Sequence, residues 1–151
     1  MSQKILVALA SSEDAKIVLP KAIKIVEKNN SILKLFHCIN SEVYLTPYGA
    51  FSTPEINQLV PKWRENLEEE TEKVKQWLTE YSQQTASKGI QTEWDYLMGN
   101  PSSSIIKTAK DWNADLIIMG RRGLTGLSEM FLGSVSNYVV HHASCSVLLI
   151  Q

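Results

Sequence analysis

Asp115-Leu116-Ile117-Ile118-Met119-Gly120 runs straight into Arg121-Arg122-Gly123, and the chain then reaches Leu132-Gly133-Ser134-Val135. The run Leu116–Met119 has no polar alternation, so it reads as a strand buried on both faces, as in a parallel sheet. Gly120 closes that strand and Gly133-Ser134 opens a helix. Four glycines (120, 123, 126 and 133) fall within fourteen residues, more than turns alone require. Glycine lets the backbone approach a ligand closely. The free N–H groups and dipole at a helix N-terminus attract an anion. Ser134 and Ser136 add hydroxyl donors. The stretch is not a P-loop, since no Gly-Lys-Ser/Thr ending is present. Nor is it the dinucleotide fingerprint, which follows the first strand; there this chain has Ala10-Ser11-Ser12.

Outward from this stretch, short apolar runs alternate with helix-period segments. Ile5–Leu9 predicts the first strand. Ser11 and Ser12 supply caps for a helix, and Glu13 and Asp14 are first-turn acids. Val18, Ala22, Ile25 and Val26 give that helix an apolar face. Pro20 either kinks it or marks a regular part that begins near Leu19. Ile32–Ile39 predicts the second strand.

Residues 41–61 carry Pro47, Gly49, Pro54 and Pro61 and read as a loop. Its length fits either a functional, partner-contacting segment or a poorly ordered insertion. Lys62–Lys88 is the longest helical pattern, with a core stripe of Trp63, Leu67, Val74, Trp77, Leu78 and Tyr81, and Gly89 ends it. Thr92, Trp94, Tyr96 and Met98 form a third strand. Asn100-Pro101 predicts an N-cap with proline at the first helical position, and Ile105, Ile106 and Ala109 face inward. A short helix from near Ser134 and a last strand, Val147–Ile150, complete the chain. Strands alternating with helices predict a doubly wound α/β fold with a five-stranded parallel sheet in one domain, residues 1–151. A ligand site is expected beyond the strand carboxyl ends, where the strand order reverses.

The 151 residues are 44% hydrophobic and 21% charged, with a net charge of −1. That balance gives no field favouring nucleic acid or an anionic membrane. Cys38 and Cys145 read as small buried thiols. The first apolar run is too short for a signal peptide, and no stretch approaches the roughly 20 apolar residues of a membrane span. A cytoplasmic location is expected.

Arg121 and Arg122 either clamp phosphates bidentately or point into solvent. His37, ending a strand, reads as a packed histidine. His141 and His142 are adjacent on a helix end, so they make a poor chelate and suit the helix dipole instead. No Ser/His/Asp or Cys/His constellation stands out, and no general base lies near the glycine loop. No catalytic residue is assigned, and any hydrolysis is expected to be slow and incidental. Paired acids of a phosphorylation site are missing after the first strand.

Gly120-x2-Gly123-x9-Gly133-Ser134 resembles the G-x2-G-x9-G-S/T signature of the nucleotide-binding branch of the universal stress proteins. The resemblance extends over nearly the whole chain. Ile5-Leu6-Val7-Ala8 is similar to the family's opening strand, and Leu35-Phe36-His37-Cys38 to its second. Gly99-Asn100-Pro101 is similar to its Gly-x-Pro, Asp115–Gly120 to its fourth strand, and Leu132–Val135 to the start of its final helix.

This resemblance implies a Rossmann-like three-layer α/β/α fold with strand order 3-2-1-4-5. It implies a homodimer through the last strand, Val147–Ile150, and a stress-response regulatory role. It also implies ATP, ADP or AMP across the ends of strands 1, 2 and 4, with Mg²⁺ as an expected companion. By position, Gly120, Gly123, Gly133, Ser134 and Val135 hold the phosphates, while Ala10 and Cys38 lie near the adenosine and Met119 flanks it. Ser11, Arg121, Arg122 and Ser136 complete the candidate site. Ala10 stands where the family usually has aspartate, with Ser11 and Ser12 as candidate replacements. That departure leaves the preferred nucleotide open, along with an interaction module that binds none. Ser146 stands where the family usually has proline.

Overall fold

In β1 (Gln3–Ala8) successive side chains go to opposite faces of the sheet, and both faces are covered. Ile5, Val7 and Leu9 pack on one side with Leu33, Leu35 and Ile39 of β2 (Ser31–Ile39). Leu6 and Ala8 face the other way with Phe36. This double burial is why Ile5–Leu9 reads as a continuous apolar run rather than an alternating one. The structure, a computed structural model, describes residues 2–26, 30–41, 54–121 and 133–151.

The elements follow as α1 (Ser12–Val26) after β1, α2 (Pro54–Ala86) after β2, then β3 (Gln91–Met98), α3 (Pro101–Trp112), β4 (Leu116–Gly120), α4 (Ser134–His142) and β5 (Ser146–Ile150). The five strands form one parallel sheet in the order β3-β2-β1-β4-β5. The fold class and strand order expected from the sequence are therefore present. The order reverses at β1, which pairs with β2 on one edge and with β4 on the other.

α1 and α2 cover one face. Ala15, Val18, Leu19, Ala22, Ile23 and Val26 of α1 join Val74 and Leu78 of α2 over the Ile5 side. α3 and α4 cover the opposite face through Ile105, Ala109 and Val139, which meet Phe36, Ile117 and Met119. Phe36 is 1% exposed at the centre of this second layer. Burying a side chain of its size contributes about 1.5–3 kcal/mol.

Two expectations change. The loop predicted for residues 41–61 ends sooner, because α2 begins at Pro54 and runs through Pro61. Pro54 occupies the first turn, where its missing N–H leaves nothing unsatisfied. Pro61 is exposed, so water can solvate the carbonyl that its ring leaves unbonded. The remainder of that predicted loop, residues 42–53, lies outside the described residues. Pro20 behaves like Pro61: α1 starts at Ser12, well before Leu19, and passes through this exposed proline.

α3 starts as its sequence predicts. Asn100 is the N-cap, its side-chain oxygen accepts from the Ser103 N–H at 3.2 Å, and Pro101 follows at the first helical position. At the opposite end of the sheet, the Asp115 N–H donates to the Lys4 carbonyl at 2.8 Å, and its carboxylate accepts from the Lys4 N–H at 2.8 Å. Those two bonds fix the register of β1 against β4, which carries Ala8 level with Met119.

Candidate functional site

The carboxyl ends of β1, β2 and β4 meet where the strand order reverses, and the register shows which residues arrive there. Ala8 pairs with Phe36 of β2 and with Met119 of β4. Carried forward, that register brings Leu9 level with Gly120 and Ala10 level with Cys38. Three predicted site positions, Ala10 two residues beyond β1, Cys38 on β2 and Gly120 on β4, thus share one end of the sheet.

The chain beyond β1 is tightly tied. The Leu9 N–H donates to the Phe36 carbonyl at 2.8 Å, extending the ladder one residue past the strand. The Leu9 carbonyl accepts from His37 Nδ1 at 2.7 Å. A carbonyl only accepts, so Nδ1 carries the proton. His37 is buried, with its ring edge-on to Trp77 at 5.2 Å. Burial holds its pKa below the usual imidazole value, against weaker opposing pulls from the Leu9 carbonyl and the Glu70 carboxylate. The histidine is a packed structural residue, as the sequence suggests.

α1 then opens with a reciprocal cap. Ser11 Oγ accepts from the Asp14 N–H at 3.0 Å, and Asp14 Oδ2 accepts from the Ala10 N–H at 2.9 Å. The spacing is that of a capping box, with the acid three residues after the capping serine, but the acid reaches one residue further back, to the N–H before the cap. Ser11 is thereby engaged with the helix end. The carboxylate at this corner comes from Asp14, which sequence reasoning treats only as a first-turn acid. The Ser11-x-x-Asp14 spacing is the signal that marks it.

On β2, Cys38 is half-buried, with Sγ 3.5 Å from the Gly99 carbonyl oxygen. Cys145 is also half-buried, so the expectation of two buried thiols is corrected: each sits at the margin of the core. Burial still pushes the Cys145 thiol up. Gly99, at φ +143°, donates to the Ile39 carbonyl at 3.0 Å and so turns the chain after β3 back over the end of β2.

Met119 is buried in the α3/α4 layer, and Gly120 ends β4. The Ser136 hydroxyl lies 3.1 Å from the Gly120 carbonyl and 3.3 Å from that of Arg121, and it donates to this pair. Its role here is to lace α4 to the end of β4, rather than to point a donor outward. The Arg121 N–H donates to the Ile150 carbonyl at 2.8 Å, so β5 holds the same corner. Gly133 is the N-cap of α4 and contributes no side-chain hydrogen bond. The first-turn N–H groups beside exposed Ser134 and half-buried Val135 therefore receive no acceptor from the cap residue's side chain. Arg122 and Gly123 lie outside the described residues.

His142 folds back on its own helix, stacking on Tyr138 at 4.0 Å with Nδ1 donating to the Tyr138 carbonyl at 2.8 Å. Among the described residues, no group of three or more His, Cys, Asp or Glu is placed to hold a metal ion. No described helix is long and apolar enough to cross a membrane.

The model of the universal stress protein family matches residues 1–151. The chain belongs to this family. A universal stress protein of Synechocystis is 44% identical to it over 98% of this chain and 97% of the relative. Among solved structures, universal stress protein UspA from Lactobacillus plantarum superposes with a TM-score of 0.80 at 26% identity, covering 99% of this chain and 97% of that one. Two more distant universal stress proteins share the fold and hold adenylates. The one from Archaeoglobus fulgidus, in complex with dAMP, has a TM-score of 0.64 at 20% identity, covering 99% and 98%. The one from Arabidopsis thaliana, with AMP bound, has a TM-score of 0.63 at 21% identity, covering 98% and 90%.

Proposed function

We propose that this universal stress protein binds an adenine nucleotide, ATP, ADP or AMP, across the ends of β1, β2 and β4, and acts as a regulatory protein rather than an enzyme. The observation that carries the reading is the start of α4. A glycine N-cap offers the first-turn N–H groups no side-chain acceptor of its own, beside the strand where the sheet order reverses. Such a helix end favours a phosphate. The adenylates bound by the Archaeoglobus and Arabidopsis relatives support the same assignment.

In this reading Gly120, Gly123, Gly133, Ser134 and Val135 offer backbone N–H groups to the phosphates. Arg121 and Arg122 neutralise their charge, and Mg²⁺ accompanies the longer nucleotides. Ala10 and Cys38 border the nucleoside. Isothermal titration with ATP, ADP and AMP, with and without Mg²⁺, tests it. Binding of at least one at micromolar to millimolar concentration is expected, with loss in Gly133→Val. No heat from any of the three at millimolar concentration overturns it.

The protein works as a homodimer through β5. Among the described residues that strand pairs only with β4, at one edge of the sheet. Leu148 on β5 is an exposed apolar side chain on this edge strand. The dimer couples nucleotide occupancy to the surface offered to a partner protein.

A second reading is favoured by Ala10, which carries no polar side-chain atom where the family usually has aspartate. It describes an interaction module without nucleotide. Stoichiometric adenylate released from the purified, denatured protein dismisses that reading.

A further inference from the structure

Asp14 brings to the end of β1 a carboxylate that Ala10 cannot supply. It is the third residue of α1 and is half-buried. One oxygen, Oδ2, accepts from the Ala10 N–H at 2.9 Å. The other, Oδ1, lies against Gly120: a Cβ built there would stand 2.9 Å from Oδ1 and 3.4 Å from Val18 Cγ2. Capping the helix uses only Oδ2. Among the described residues Oδ1 has no hydrogen-bond donor, and it lies beside Gly120 of β4, next to β1, where the strand order reverses.

An ionised carboxylate only accepts hydrogen bonds and repels other anions. Its neighbour in a bound ligand should therefore be a neutral donor, not a phosphate. With phosphates at the start of α4 and the base toward β2, the sugar is the part of a nucleotide that spans β1 and β4. Resting on the nucleotide reading above, we infer that Asp14 Oδ1 accepts a hydrogen bond from a ribose hydroxyl, making Asp14 the residue that selects ribonucleotides over deoxyribonucleotides.

The test is isothermal titration of the full chain with ATP and AMP, each beside its 2′-deoxy and 3′-deoxy forms, for the wild type, Asp14→Asn and Asp14→Ala. The wild type is expected to prefer the ribonucleotide over one of its deoxy forms by roughly 10-fold or more, the scale of a hydrogen bond to a charged group. Asp14→Asn should shrink that ratio several-fold and Asp14→Ala should bring it close to one, the ribonucleotide losing more than its deoxy form whatever loss the freed Ala10 N–H adds to all forms. A capping role alone would weaken all forms equally and leave the ratio unchanged, which overturns the inference. So does a loss seen only when Mg²⁺ is present, which would make the carboxylate a cation ligand. The wild-type comparison needs no variant, so it decides even if Asp14→Ala does not fold. A wild type that binds without discriminating sinks the ribose inference only. One that binds none of the six sinks the nucleotide reading itself.

Discussion

His37 and Asp14 hold opposite ends of one peptide group. His37 Nδ1 donates to the Leu9 carbonyl at 2.7 Å, and Asp14 Oδ2 accepts from the Ala10 N–H at 2.9 Å. That carbonyl and that N–H belong to the same planar unit. The last peptide of the strand exit is thereby fixed in orientation by β2 on one side and by α1 on the other. The corner between β1 and β4 is therefore a rigid wall.

The histidine's part in this clamp depends on its being neutral. Its folded pKa is lowered by burial, so in the window between that value and the unfolded value of about 6.5 the unfolded chain binds more protons. Stability should be complete above about pH 6.5 and fall as the pH drops through the folded pKa. Urea titrations across this range should show a steeper acid loss for the wild type than for His37→Gln. Parallel curves would refute a buried neutral imidazole.

A methyl group on Gly120 would press on Asp14. A Cβ there stands 2.9 Å from Asp14 Oδ1, which must shift while Oδ2 is tied to the Ala10 N–H, and 3.4 Å from Val18 Cγ2. Gly120→Ala should cost about 1–3 kcal/mol in urea denaturation. Combined with Asp14→Ala, the double variant should lose less than the sum of the two single losses. Strict additivity would show that the contact is not felt.

Asn100 holds the first turn of α3 through its side-chain oxygen. Asn100→Ala should destabilise the fold by about 1 kcal/mol, and Asn100→Asp or Asn100→Ser should recover most of it. Thermal melts of the three variants check this. An equal loss in all three would point to the amide nitrogen instead.

Leu148 is 37% exposed on the edge strand, so a lysine there should cost the monomer little. If β5 forms the dimer, Leu148→Lys should halve the mass seen by sedimentation equilibrium. A wild type of monomer mass, or a variant that stays dimeric, moves the interface elsewhere.

The strands were readable because burial on both faces removes polar alternation, as in Leu116–Met119 and Ile5–Leu9. The caps at Ser11 and Asn100 were readable because they depend on a few consecutive residues. The first turns of α2 were not, since Pro54 and Pro61 are breakers by composition and compatible with helix only because of where they fall in it. Nor was the approach of Asp14 to Gly120. Each residue looks local in the sequence, and only the strand order brings them together. Gly120, Gly133 and Ser134 were readable as a glycine signature, whereas the engagement of Ser136 with the Gly120 and Arg121 carbonyls depends on how α4 returns to β4.

The central place of β1 also has a consequence in time. Its β4 edge is closed by Lys4 and Asp115, residues 111 positions apart. At about 5–20 residues per second of synthesis, the first strand of a nascent chain waits roughly 6–20 s for that partner to be made. Through that interval β2 can cover only one side of it, and the apolar run Ile5–Ala8 presents an open edge. The strand order that brings β1 between β2 and β4 thus leaves the newborn chain with an unpaired central edge until its second half has emerged.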